Sequence, residues 1–372
     1  MTTLKISVLP GDGIGPEVTA EALKVLHTVT QLYKGIEFEL ETFDVGAERF
    51  LKTGSAMTEE AFTHCKEADA IFMGAIGLPE ARHPDGREVN GDVIFRLRFD
   101  LDLYAGVRPV RFYPGVPTVM TNTSKVDYVV VRENVEGLYA SRNGGCRVRD
   151  DLTTDTIVIT RSGTEKVVKY AFKLAAQRAS RRLGLSPTVT CVDKSNVLKS
   201  YAFFREVFDG VAKDYPDIHT EREYVDAMAA YQVLNPERLD VLVMENMFGD
   251  ILSDLAGATV GGLGMAASGD IGDDHAMFQP AHGTAPTIAG KNVANPTATI
   301  LSAAMMLDWL GDKHQLPQLI DGARMIERAV SDALQDGSAR TVDLGGHRST
   351  SESGSAVVNR MLQIGGDHGV RS

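Results

Sequence analysis

Apolar positions along the chain switch between a strand period and a helix period. Residues Lys5–Leu9 (KISVL) read as a short strand, broken by Gly11, Gly13, Gly15 and Pro16. Val18, Ala22, Val25, Leu26, Val29 and Tyr33 then recur at helical spacing, and Gly35 stops the run. Apolar runs at Ala68–Ile76, Tyr128–Val131, Thr188–Val192 and Leu239–Val243 predict further buried strands. Between them, Lys166–Leu183 and Ile300–Leu310 predict helices. Alternation of this kind defines an α/β protein whose sheets are covered by helices. The polar stretch Ala140–Thr156 (ASRNGGCRVRDDLTTDT) reads as a surface hairpin or as an arm towards a partner chain. The tail from Gly365 onwards is expected to fray.

Composition narrows the picture. At roughly 100–200 residues per domain, the chain has room for about two or three domains. Its 38 basic and 50 acidic side chains give a net charge of −12. That argues against a nucleic-acid partner, which demands a basic surface. A small anionic ligand would need arginines gathered locally against this field. Cys65, Cys146 and Cys191 are far apart and odd in number, so no disulfide framework is expected and a reducing, cytoplasmic compartment fits. No signal peptide is expected, and no run of about 18 apolar residues predicts a membrane span.

Five segments carry candidate chemistry. GDGIGPE at Gly11–Glu17 follows a strand and opens a helix, but its spacing is GxGxG rather than the dinucleotide GxGxxG. It is either a phosphate cradle or a tight turn with proline in the first helical turn. DILSD places Asp250 and Asp254 on one helix face, about 6 Å apart at Cβ. The pair is either a hard-cation site or a helix start capped by Asp250. VVVRENVEGLY sets Arg132, Glu133, Glu136 and Tyr139 after a buried strand, and CVDKSNVLKS sets Lys194 and Asn196 after another. Strand ends are where α/β proteins gather ligand-binding groups, and a desolvated lysine there is a candidate base; the alternatives are a solvated charged loop for the first segment and an exposed lysine at a helix start for the second. HGTAPTIAGKNVANP at His282–Pro296 is a long loop of small residues that would let a flat ligand approach the backbone.

In order along the chain, PGDGIGPEV, LRxxLxLYxxxRP, VRENxEGLY, DKSNVL, VDA, NMFGDILSD, PAHGTAP and ANPTATILSAAMML together resemble the β-decarboxylating dehydrogenases, the isocitrate/3-isopropylmalate dehydrogenase family. The resemblance implies a two-domain, non-Rossmann α/β fold with helices packed on mixed sheets. Residues 1–104 and 261–372 would form one domain, and 105–260 a second carrying dimer contacts, with an arm near 140–156. It also implies metal-dependent oxidation and decarboxylation of a (2R)-malate derivative with a nicotinamide cofactor. The expected assembly is a homodimer whose active sites are shared between subunits. Arg98, Arg108 and Arg132 match substrate-binding positions, and bidentate forks suit the two carboxylates of a malate. Lys194 matches the base, supported by Asp226 from the other subunit. Tyr139 matches the acid that protonates the enol, with Lys194 lowering its pKa. Asp250, Asp254 and the other subunit's Asp226 match ligands of Mg²⁺ or Mn²⁺. The cofactor positions match Asn196, His282, Gly283, Thr284, Ala285, Thr287, Ile288 and Asn295. A non-catalytic regulatory relative would have lost one of the Tyr, Lys or Asp positions, and this chain keeps all of them.

Several positions depart from the family pattern. Gln279 stands where Glu is usual, and Met244-Glu245-Asn246 replaces Thr-Asp-Asn or Thr-Pro-Asn. Thr287 replaces the Asp that holds the adenosine ribose of NAD, yet it brings no cation for the phosphate of NADP. The tail RTVDLGGHR also lacks the Tyr and Arg that NADP-dependent relatives place near Val342 and Gly346, although Arg348 is close. NAD is therefore expected, with a reduced margin. The resemblance implies that the side chains three and four residues before Arg98 meet the C3 substituent; here they are apolar Phe95 and Ile94, and Asp92 adds negative charge, so a third carboxylate is disfavoured. The expected substrate is 3-isopropylmalate or a close 3-alkylmalate. D-malate or tartrate is the alternative if Phe95 fills the pocket.

Overall fold

The computed structural model describes residues 2–120, 126–142, 144–181 and 186–367. Ten strands form one mixed sheet. They are β1 Thr2–Gly11, β2 Ile36–Thr42, β3 Ala70–Ala75, β4 Ala105–Arg111, β5 Asp127–Glu133, β8 Thr188–Asp193, β9 His219–Tyr224, β10 Val241–Met244, β11 Ala267–Ile271 and β12 Ala276–Pro280. The order is β2-β1-β3-β12-β11-β4-β5-β10-β8-β9. Strands β2, β1, β3 and β12 are mutually parallel, as are β5, β10, β8 and β9. Between these blocks, β12–β11, β11–β4 and β4–β5 are antiparallel. One block therefore comes from the two ends of the chain and the other from its middle.

Both faces of the sheet are covered, which explains why β3 and β10 read as unbroken apolar runs and are buried throughout. Phe72 of β3 joins a core cluster with Leu26 and Ile300, while Ile71 and Met73 face a second cluster with Val93 and Leu97. Each such side chain stabilises the fold by about 1.5–3 kcal/mol on burial. The helix Gly15–Leu32 begins with Pro16 in its first turn, as its sequence predicts, and the helix Thr297–His314 extends the expected Ile300–Leu310 at both ends.

Ala140–Thr156 contains a hairpin, β6 Cys146–Val148 with β7 Leu152–Thr154, whose six residues are all exposed. The helix expected to end at Leu183 runs Arg161–Arg181, and its expected last residues lie outside the described ones. The helix Thr350–Asp367 carries past Gly365, and the rest of the tail expected to fray lies outside the described residues. Among the described residues, no helix is long and apolar enough to cross a membrane.

Candidate active site

The site lies across a face of the sheet rather than along one edge. Gly106 is paired with both Arg132 and Asp270, and Ser268 is paired with Gln279. With side chains alternating along each strand, this register puts Arg108, Arg132, Asp270 and Gln279 on one face of the antiparallel centre. The helix Asn90–Asp100 adds Ile94, Phe95 and Arg98. A cavity of about 310 Å³ is lined by these arginines with Ile94, Phe95, Tyr139, Asp250, His282 and Gly283.

Arg132 is almost fully buried at the end of β5. Its Nε and Nη2 donate to Asn246 Oδ1 at 3.0 and 2.6 Å, and its Nη1 donates to Asp250. Burial, then neighbouring Arg98, presses the Arg132 pKa down, and Asp250 pulls it up. Gly249 lets the helix Asn246–Thr259 come this close, since a Cβ there would sit 2.5 Å from Arg132 Cβ. Tyr139 donates its hydroxyl to Asp250 Oδ2 at 2.8 Å, under the Arg132 guanidinium. Its pKa is raised, by burial first and then by Asp250; the lowering expected from Lys194 is absent within one chain. Arg108 lies 3.6 Å from Asp254 and 4.0 Å from Asp250.

Asp250 is not the helix cap that the sequence left open. The helix starts at Asn246 after Glu245, so Asp250 stands one turn inside it. Burial opposes its charge, but Arg132, the Tyr139 hydroxyl and Arg108 carry its pKa below the usual carboxylate range. Asp254 shifts up, chiefly by burial. Arg108 stands between the two acids, and Arg132 adds a second guanidinium on Asp250.

Lys194 is the partly exposed alternative at that strand end rather than a desolvated base. Its Nζ donates at 2.5 Å to Asp226 Oδ1 of its own chain, not of the other subunit as expected, and Asp226 is 69% exposed. Among the described residues, no hydrogen bond or ion pair joins this couple to Tyr139 or Asp250. No group of three acidic, His or Cys side chains able to hold a metal is found there either. Asn196 is exposed in the same turn.

The GDGIGPE motif is the bed of the His282–Pro296 loop. Gly13, at φ +59°, leaves a gap that a Cβ would close to 2.2 Å from Thr284 O, and Ile14 N–H donates to that oxygen at 2.9 Å. Glu17 accepts the backbone N–H of Gly290 and, at 3.0 Å, of Asn292. Asp12 is fully buried and accepts from Ala47, Glu48 and Gly77 N–H. In the loop, Ile288 and Ala285 pack on Ile14 and Val18, Thr287 is exposed, and buried Asn295 donates to Asp343 at 3.0 Å. Among the described residues, the buried Nε2 of His282 has no hydrogen-bond partner.

Sequence reasoning missed Asn246 and Asp270, which accept from Arg132 and Arg98, and Asn134, which donates to Asp270. The expected repulsion from Asp92 is also blunted, because Asp92 pairs with His83 Nε2 at 2.9 Å. The departure at Glu245 is accommodated structurally: it is buried, accepts from Tyr201 at 3.0 Å and fits beneath Gly137.

This fold and site define a family. The chain matches the isocitrate/isopropylmalate dehydrogenase family model over residues 5–357, and it belongs to that family. It is 43% identical over 334 residues to a 3-isopropylmalate dehydrogenase of Corynebacterium glutamicum, covering 88% of this chain and 92% of that one. It is 42% identical over 360 residues to a 3-isopropylmalate/3-methylmalate dehydrogenase of Methanocaldococcus jannaschii, covering 96% and 99%. The structure of isocitrate dehydrogenase from Methylococcus capsulatus superposes with a TM-score of 0.83 at 37% identity, over 96% of this chain and 99% of that one.

Proposed function

We propose that the chain is an NAD-dependent, homodimeric dehydrogenase that oxidises and decarboxylates a (2R)-malate with a small 3-alkyl group, 3-isopropylmalate first. One observation carries this reading. Three arginines, Tyr139 and Asp250 converge on a cavity that Ile94 and Phe95 also line, on the side of the helix Asn90–Asp100. Arginine forks take the two carboxylates of malate, and the apolar wall takes the alkyl group and leaves a third carboxylate unsolvated. The names of the Corynebacterium and Methanocaldococcus relatives support the same substrate class. A second reading, D-malate or tartrate, is favoured by the Phe95 ring, which stands edge-on to Tyr139 with centroids 6.1 Å apart and narrows the C3 subsite.

The residues present fit both groups that the reaction needs. Asp250 and Asp254 offer oxygen ligands suited to Mg²⁺ or Mn²⁺, with Asp226 of a second copy as the third. The unpartnered His282 Nε2 and the backbone of Gly283, Thr284 and Ala285 face a cofactor, with Thr287, Ile288, Asn295 and Asn196 around it. When bound, the ion supplies charge stabilisation at the substrate oxygen and the nicotinamide accepts the hydride.

The chain's own residues do the rest. Arg98, Arg108 and Arg132 fix the substrate carboxylates. Lys194 of the second copy, placed by its own Asp226, takes the 2-hydroxyl proton through a water once its amine is neutral. Tyr139, whose raised pKa keeps it protonated, gives a proton to C3 after CO₂ leaves. The dimer is supported by apolar side chains left exposed around the Lys194 turn and the neighbouring helices, namely Val197, Leu198, Val233, Leu234 and Ile251. The same reading groups 1–104 with 261–372 as one domain and 105–260 as the other, in a cytoplasmic enzyme.

The test is NADH formation with 3-isopropylmalate, D-malate, tartrate, isocitrate and homoisocitrate, each with Mg²⁺ and Mn²⁺. The highest kcat/KM is expected with 3-isopropylmalate. A preference for isocitrate or homoisocitrate would overturn the assignment, and no turnover of any would point to a regulatory subunit.

A further inference from the structure

Arg98 is anchored unlike the other two arginines of the cavity. Arg108 and Arg132 lean on Asp250 and Asp254, the acids offered to a metal. Arg98 instead donates Nε to Asp270 Oδ2 at 2.9 Å, and Asp270 is completely buried. The same carboxylate accepts from Asn134 Nδ2 and Gln279 Nε2, each at 3.0 Å. Asn134 is itself fixed by donating to Leu103 O at 3.1 Å. Three elements thus converge on one buried charge, and every partner is a donor.

The geometry of that contact matters. Asp270 uses only the Nε side of the guanidinium. Among the described residues, Nη1 and Nη2 of Arg98 have no hydrogen-bond partner, and Arg98 lines the cavity. The outer edge that a carboxylate grips in a fork is left free. Arg98 also lies close enough to Arg132 to lower its pKa, so an uncompensated third guanidinium would strain the cluster.

Gln279 is the neutral residue found where the family usually has Glu. It lies on β12, on the same face as Asp270 of the adjacent β11, and the two side chains are bonded. We propose that Asp270 is the positioning residue that orients and neutralises Arg98 for the substrate carboxylate, and that it carries a charge relocated by one strand from position 279. The inference rests on the reading that the cavity takes a hydroxydicarboxylate.

The test compares Asp270→Asn, Gln279→Glu and the double variant Asp270→Asn/Gln279→Glu. KM for the diacid, KM for NAD, kcat and thermal midpoint are measured for each. Asp270→Asn is expected to raise KM for the diacid about tenfold or more, with kcat and KM for NAD changed less than about threefold. The double variant is expected to return KM to within about threefold of wild type, because the charge is restored one strand away. An unchanged KM in Asp270→Asn, a loss confined to kcat, or a double variant as impaired as the single would overturn the proposal. If Asp270→Asn does not fold, the double variant decides: wild-type KM supports the relocation, while a raised KM or an unfolded chain overturns it. Failure of the wild type to turn over any malate derivative would instead overturn the underlying functional reading.

Discussion

Asp250 and Asp226 are both carboxylates bonded to a basic side chain, yet their surroundings are opposite. Asp250 meets Arg132, Tyr139 and Arg108 and is 36% exposed; Asp226 meets Lys194 alone and is 69% exposed. The first is over-determined by its own chain. The second is a surface ion pair, and such pairs contribute about 0–1 kcal/mol in water. A lone chain gains little from Lys194–Asp226. The pair becomes chemically useful only when another surface removes it from water, and the apolar side chains around it supply a face to be covered. On the proposed dimeric reading, the contrast separates what one chain finishes from what two would share.

The largest effects test that sharing. Lys194→Ala and Tyr139→Phe should each lower turnover by about 10²–10⁴. Mixed by co-expression, about half of the dimers would be hybrids with one intact site of two, which returns about a quarter of wild-type activity. Activity no greater than the sum of the separate variants would confine each site to one subunit. A second test uses the metal. Asp250→Asn should raise the metal concentration required for activity about tenfold or more, because an amide replaces an anionic ligand. Asp226→Asn should do the same despite its exposure in the single chain. An Asp226 variant with unchanged metal titration would leave it only as the partner of Lys194.

The sequence carried the buried half better than its supports. Arg98, Arg108, Arg132, Tyr139 and Asp250 stand in recognisable motifs, and the structure brings them to one cavity. Asn246 and Asn134 were legible as letters of those motifs but not as the partners of Arg132 and Asp270, because those partners are more than a hundred residues away in the chain. Asp270 had a signal of its own. A lone acid in the apolar, five-residue strand ASGDI demands a buried partner. Naming that partner required the β11–β12 register, which no local pattern encodes. GDGIGPE shows the converse. Its turn and its proline were legible, but its service to the His282–Pro296 loop depends on a contact with Thr284 across the whole chain.

A smaller effect should come from Glu133, at the end of β5 beside Arg132. Burial raises its carboxyl to about 7, against the pull of Val135 and Glu136 N–H. Folding therefore favours the protonated form. This contribution to stability is complete below about pH 4.5 and is lost as pH rises through about 7, a difference of roughly 3 kcal/mol. Glu133→Gln should flatten that part of the pH profile, so its midpoint relative to wild type should rise by a few degrees between pH 5 and pH 8. Thermal melts across that range decide it, and parallel profiles would show that Glu133 ionises freely. No such slope is expected from Asp226, which lies in solvent.

The smallest effect concerns the exposed rim of the cofactor loop. Thr287 is exposed and offers one neutral hydroxyl. The structure adds a cation that the sequence reading had not counted: Lys291 donates Nζ to Thr287 O at 2.8 Å. Arg348 lies 3.9 Å from Glu352, and Asp343 is held by Asn295 and Thr341. The charges near this loop and the tail segment are thus mixed, Lys291 and Arg348 against Asp343 and Glu352, with no cation set gathered among the described residues for a phosphate of charge near about −2. NAD should be preferred, but modestly, because charges on a solvated rim are screened within about 8 Å at physiological salt. Thr287→Asp should widen the preference by roughly three- to tenfold by opposing the phosphate. Lys291→Ala should lower kcat/KM with NADP about two- to fivefold and leave NAD nearly unchanged, since a single exposed charge contributes about 0.2–1 kcal/mol. Steady-state kinetics with both cofactors measure this. A wild type with higher kcat/KM for NADP would overturn the NAD assignment, and a large fall on Lys291→Ala would identify the cation responsible.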